Sequence, residues 1–84
     1  MTEKEFEVLD ELYFVTHFDA LQKSVSLDKD DLRLILVSLW NKGWLRCYFG
    51  VDKELDSDTE DIDNQFDKYH YLASKEGLMA HNTR

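Results

Sequence analysis

The densest chemistry in the chain lies between Gly50 and Asp67. There Asp52, Glu54, Asp56, Asp58, Glu60, Asp61, Asp63 and Asp67 stand against one base, Lys53. Carboxylates so arranged could hold a hard cation, exchange a proton, or attract a basic partner. The cation reading fails on spacing. Asp56-Ser57-Asp58-Thr59-Glu60 sets oxygens at alternate positions, as a calcium loop does. The sixth position, which needs glycine, is Asp61; the apolar eighth is Asp63; the twelfth is Asp67 instead of glutamate. Acid–base catalysis fails on environment, because a loop this polar offers no burial to raise a carboxyl pKa. Attraction of a basic protein partner through Asp56, Asp58, Glu60 and Asp61 remains, beside the plainer reading of a mobile, solvated loop that keeps the domain soluble.

Soft ligands and nucleophiles give less. His17, Cys47, His70 and His81 lack the close ligand pairs of structural zinc sites, so no metal is expected. Cys47 alternates with apolar neighbours, which predicts a buried packing thiol. Neither a glycine-rich phosphate loop nor a nucleophile elbow is present, and no Ser, His and Asp spacing stands out. The chain is read as a non-enzyme without a cofactor.

Those residues must be positioned by a small body. The 84 residues, 43% apolar and 13% aromatic, suit one domain spanning 1–84 with a modest core. A single cysteine forbids an intramolecular disulfide and points to a reducing compartment. The acidic start Met1-Thr2-Glu3-Lys4-Glu5 is unlike a signal peptide, and the apolar runs are far too short to span a bilayer. The expected location is the cytoplasm, with no membrane partner. The net charge is −8, and all but one of those charges fall in the acidic segment.

Periodicity supplies the elements. Thr2 and Glu5 form a capping box, and Phe6, Leu9, Leu12 and Tyr13 predict a first helix from Glu3 to about Tyr13. Phe14-Val15-Thr16 is a short β-prone piece, and His17 lies in a capping stretch before a short second helix bearing Phe18, Leu21 and Val25. Asp28 caps a third helix from Lys29 to Lys42, whose buried stripe is Leu32, Ile35, Leu36, Leu39 and Trp40. Gly43 suits the positive-φ position just beyond it. The apolar period then becomes two: Leu45, Cys47 and Phe49 alternate with Trp44, Arg46 and Tyr48 up to Gly50. A second strand is expected over Lys68–Ala73, and a short final helical piece over Leu78–His81.

Two junctions in this order resemble a known superfamily. Leu39-Trp40-Asn41-Lys42-Gly43-Trp44-Leu45 is similar to the passage from the third helix into the first wing strand of winged helix-turn-helix domains. Tyr71-Leu72-Ala73-Ser74-Lys75-Glu76-Gly77-Leu78 resembles the exit from the second wing strand in MarR- and PadR-type members. The extra helices by which those proteins dimerise have no counterpart here. The resemblance implies an α+β fold, a small winged helix-turn-helix in which three helices precede a two-stranded β wing with a long acidic loop at 50–67.

It also implies a third helix facing the DNA major groove, presenting Lys29, Arg33, Ser38, Asn41 and Lys42. Charge opposes that role. Asp28, Asp30 and Asp31 crowd the start of the helix, and the wing is acidic where a base is usual. Trp44, Tyr48, Tyr69 and Tyr71 either line an exposed partner-binding stripe or pack over the third helix and the C-terminal segment. The expected function is a non-enzymatic interaction module, protein-binding or accessory to a DNA-associated complex; the alternative is a direct DNA-binding transcriptional regulator.

Overall fold

Capping chemistry sets where the helices begin. In the computed structural model, which describes residues 1–50 and 52–83, helix α1 spans Glu3–Asp10. The Thr2 hydroxyl accepts from the Glu5 amide at 3.1 Å, and the Thr2 amide donates to Glu5 Oε1 at 2.9 Å. The helix stops before the expected Tyr13, because Glu11 and Leu12 turn back with amides donating to the Val8 and Leu9 carbonyls. Leu12 is still fully buried, whereas Tyr13 faces solvent.

Strand β1 is only Thr16–His17, and helix α2 follows over Phe18–Val25. The His17 ring caps α2, with Nδ1 accepting the Asp19 amide at 3.1 Å. Asp28 Oδ1 accepts from the Asp31 amide at 2.8 Å and opens helix α3, Lys29–Asn41. Beyond α3, Gly43 adopts φ +78°, its amide donates to the Trp40 carbonyl, and the Trp44 amide donates to Leu39. This paired closure satisfies the last helical carbonyls and turns the chain into a strand.

Strand β2 is Leu45–Phe49, β3 is Lys53–Glu54 and β4 is His70–Ala73. The four strands form one antiparallel sheet ordered β1-β4-β2-β3. The register sets Leu45 opposite Ala73 and Cys47 opposite Tyr71, as the two-residue rhythm after Gly43 requires. Helix α4, Lys75–Asn82, begins on a Ser74 cap and is longer than the four-residue piece expected. Gly77 lets α4 sit on the backbone of Trp44, whose carbonyl oxygen a Cβ there would strike.

The architecture is therefore a small α+β fold of four helices and a four-stranded sheet, not three helices and a two-stranded ribbon. Strand β1 overlaps the β-prone piece expected over Phe14-Val15-Thr16, whereas β3, two residues long, is too short to show a period in sequence. One face of the sheet carries Leu45, Cys47, Tyr71 and Ala73 into a core shared with Val8 and Leu9 of α1, Phe18 and Leu21 of α2, and Leu32, Leu36 and Leu39 of α3. None of the described helices is long and apolar enough to cross a membrane.

The acidic segment is anchored to this core. Leu55 and Ile62 are buried in it, the Leu55 amide donates to the Cys47 carbonyl, and the Trp40 indole donates to the Glu60 carbonyl at 3.1 Å. A 3-10 turn at Phe66–Lys68 brings the chain back to β4. There the Tyr71 hydroxyl donates to the Phe66 carbonyl at 2.7 Å, and the Phe66 ring meets Phe18 edge to face.

Candidate functional site

Helix α3 was the expected reading surface, and four of its five candidate residues are engaged by the chain itself. Lys29 Nζ lies 2.9 Å from Asp67, and Arg33 Nη1 lies 2.8 Å from Asp63. Both cations also lie over the Phe66 ring. The acidic segment thus folds back beside α3 and supplies the anions its cations would otherwise seek elsewhere. Asp67 raises the Lys29 pKa, and Lys29 holds the Asp67 carboxyl below the usual range.

At the other end of α3, Lys42 Nζ and the Ser38 hydroxyl both donate to Glu5 Oε2, at 2.7 and 2.9 Å. Glu5 is 4% exposed. Burial pushes its pKa up, but the hydrogen bonds from Lys42, the Thr2 amide and Ser38 outweigh that and hold it at about 2. Asn41 alone of the five stays exposed without a side-chain partner among the described residues. The hairpin cations are engaged as well: Arg46 makes a two-point contact with Glu54 at 2.8 Å each, and Lys53 lies 3.3 Å from Glu60.

The aromatic stripe divides between two faces. Tyr69 is 7% and Tyr71 0% exposed, so the open four-residue stripe does not form, although Tyr69 still borders a crevice between the hairpin and the acidic segment. Both share the inward parity of Cys47, and burial raises the Tyr71 pKa sharply. Burial likewise pushes the Cys47 thiol up to about 12, which keeps it protonated and unreactive. Tyr48 lies half-buried on the opposite face, whereas Trp44 is half-buried against the core, with the Lys42 ammonium 4.9 Å from its ring centre.

On that outer face, β-pairing sets His17, His70, Tyr48 and Glu54 in one row across all four strands. A cavity of about 450 Å³ opens there, lined by Val15, Tyr48, Gly50 and His70; Phe14, the residue before Val15, is 83% exposed. No three His, Cys, Asp or Glu side chains among the described residues come together as a metal-binding set.

Of the four acids singled out in sequence, Glu60 alone is half-buried. Its Oε2 accepts the Asp56 amide at 2.7 Å, while Asp56 Oδ1 accepts the Asp58 amide. Asp61 accepts the Asp63 amide, and Asp56, Asp58 and Asp61 stay exposed. Behind Glu60 lies a crevice of about 370 Å³ between the hairpin and the acidic segment, lined by Phe49, Lys53, Leu55, Glu60, Gln65 and Tyr69. Phe49, Leu55 and Gln65 were not sequence candidates. The one available signal was Phe49, an aromatic that continues the inward alternation of Leu45 and Cys47 past the end of the core.

Compared with known proteins, the chain matches no family model, no curated protein and no solved structure.

Proposed function

We propose that this chain is a non-enzymatic interaction module of the winged-helix type that binds a protein partner bearing basic residues. The winged-helix reading draws on the order α1, β1, α2, α3, β2, β3, β4, in which β4 pairs with both β1 and β2 and β3 is a two-residue addition at the edge. The choice of protein over nucleic acid rests on one observation. Lys29, Arg33 and Lys42 are each ion-paired with an acid of the same chain.

Duplex binding draws its strength from cations that neutralise phosphates, commonly about 6–10 of them. A phosphate contact by any of these three cations would first have to displace a carboxylate, which would then stay beside the DNA. Unit charges 4 Å apart near a surface interact with about 4 kcal/mol, so that proximity opposes docking. A basic protein segment meets the same field as attraction.

Fluorescence anisotropy with a random-sequence duplex at low salt tests this reading. The expected result is a flat curve to high protein concentration. Saturable binding that weakens steeply with salt would overturn it in favour of a direct DNA-binding regulator.

A further inference from the structure

The crevice between the hairpin and the acidic segment has a chemistry more specific than general negative charge. Phe49 packs edge to face on Tyr69, at 77° with ring centroids 5.8 Å apart, so the largely covered Tyr69 forms the floor and the exposed Phe49 the open wall. Glu60 and Leu55 line the same space. Phe49 is 46% exposed, although its alternation places it on the inward side of β2. Aromatic faces carry negative quadrupole potential, and a carboxylate beside them adds a full charge. Aromatic walls with an anion beside them favour a cation on an alkyl stem.

We propose that this crevice binds the ammonium or guanidinium side chain of a basic polypeptide segment. Its alkyl stem would lie along Leu55 and Phe49, and its charge would meet Glu60. The site deepens the protein-binding function proposed above and rests on it.

Three further observations favour this occupant. Glu60 stays ionised, because the Asp56 amide and then Lys53 hold its pKa below the usual range. Glu60 and Asp61 both act on Tyr69 against the single opposing cation, Lys53, so acids outnumber bases around the crevice. Lys53 already brings an ammonium to within 3.3 Å of Glu60 from the rim, with its own side chain 63% exposed. An ion pair that open contributes little, so an incoming cation can displace Lys53, whose charge then stays at the rim and competes with it. A second copy of this chain is a poor occupant, because two bodies of net charge −8 repel.

The test is an NMR titration of the Phe49 and Tyr69 ring signals with N-acetyl-arginine methylamide, its lysine counterpart, and an uncharged norleucine counterpart. The two cationic probes should produce saturable shifts in both rings, and norleucine should not. Phe49→Leu, at a position exposed enough to spare the fold, should weaken binding about two- to fivefold, as the loss of one cation–π contact implies. Lys53→Met should strengthen binding by removing the competing ammonium. Equal response to norleucine, silent rings, or unchanged binding in Phe49→Leu would overturn the site. Silent rings would leave the protein-binding function standing, whereas duplex binding would remove that function without altering these shifts.

Discussion

Lys42 Nζ lies 2.7 Å from Glu5 Oε2, and this contact ties the end of α3 to the start of α1 across 37 positions of sequence. Glu5 serves two roles at once. One oxygen closes the α1 capping box, and the other receives Lys42 and Ser38. A residue whose spacing marks it as a local cap is therefore also a buried tertiary junction. The same junction engages two candidate nucleic-acid contacts, Ser38 and Lys42, although Lys42 stays exposed.

That arrangement makes stability depend on acid. The folded chain keeps Glu5 ionised down to about pH 2, against an ordinary value of 4.5. Between those values the unfolded state binds more protons, so stability falls as pH falls. Glu5 should contribute its full share above pH 4.5 and lose it progressively toward pH 2. A shift of this size corresponds to at most about 3 kcal/mol. Urea denaturation of the parent and Glu5→Gln should show a gap at neutral pH that closes through this window. A gap independent of pH would refute the assignment.

The acidic segment invites a second experiment, on Ile62. This side chain is fully buried, although Asp61 and Asp63 flank it. Ile62→Ala should cost about 2–4 kcal/mol, the range for truncating a buried aliphatic. Asp58→Ala, on the exposed turn of the same segment, should lie within about 0.5 kcal/mol of the parent. Hydrogen exchange should also show protection at the Leu55 amide, which donates to the Cys47 carbonyl at 2.8 Å. Equal and small effects of the two substitutions would mean that the segment is not part of the core.

What could be read in sequence was what local physics determines. Gly43 ends α3 because the closure needs positive φ within a few residues, and the alternation of Leu45, Cys47 and Phe49 is visible without any partner. The pairs Lys29–Asp67, Arg33–Asp63 and Lys42–Glu5 were not legible, since each joins residues at least 30 positions apart and no spacing rule links them. Leu55 and Ile62 escaped for another reason: single apolar residues among acids generate no period. Tyr71 could have been placed inward, but only once the register opposite Cys47 was known. Lys29 and Arg33 lie on α3 and Lys42 caps it, yet whether a cation is available depends on its partner; two partners lay in a segment read as solvent-facing and the third in the cap of α1.

The availability of those cations can be altered directly. Asp63→Asn together with Asp67→Asn removes the anions that hold Arg33 and Lys29 while preserving side-chain size. Exposed ion pairs contribute about 0–1 kcal/mol each, and Phe66 still packs on Phe18, so the fold should persist. With two cations released and two negative charges gone, a random duplex at low salt should show weak binding where the parent shows none. The slope of log affinity against log salt should be about −2, near −0.9 for each phosphate engaged. If the double variant stays as flat as the parent, the internal ion pairs are not what withholds this helix from nucleic acid, and the wider acidic surface, with Asp28, Asp30 and Asp31 at the start of α3, must supply the repulsion instead.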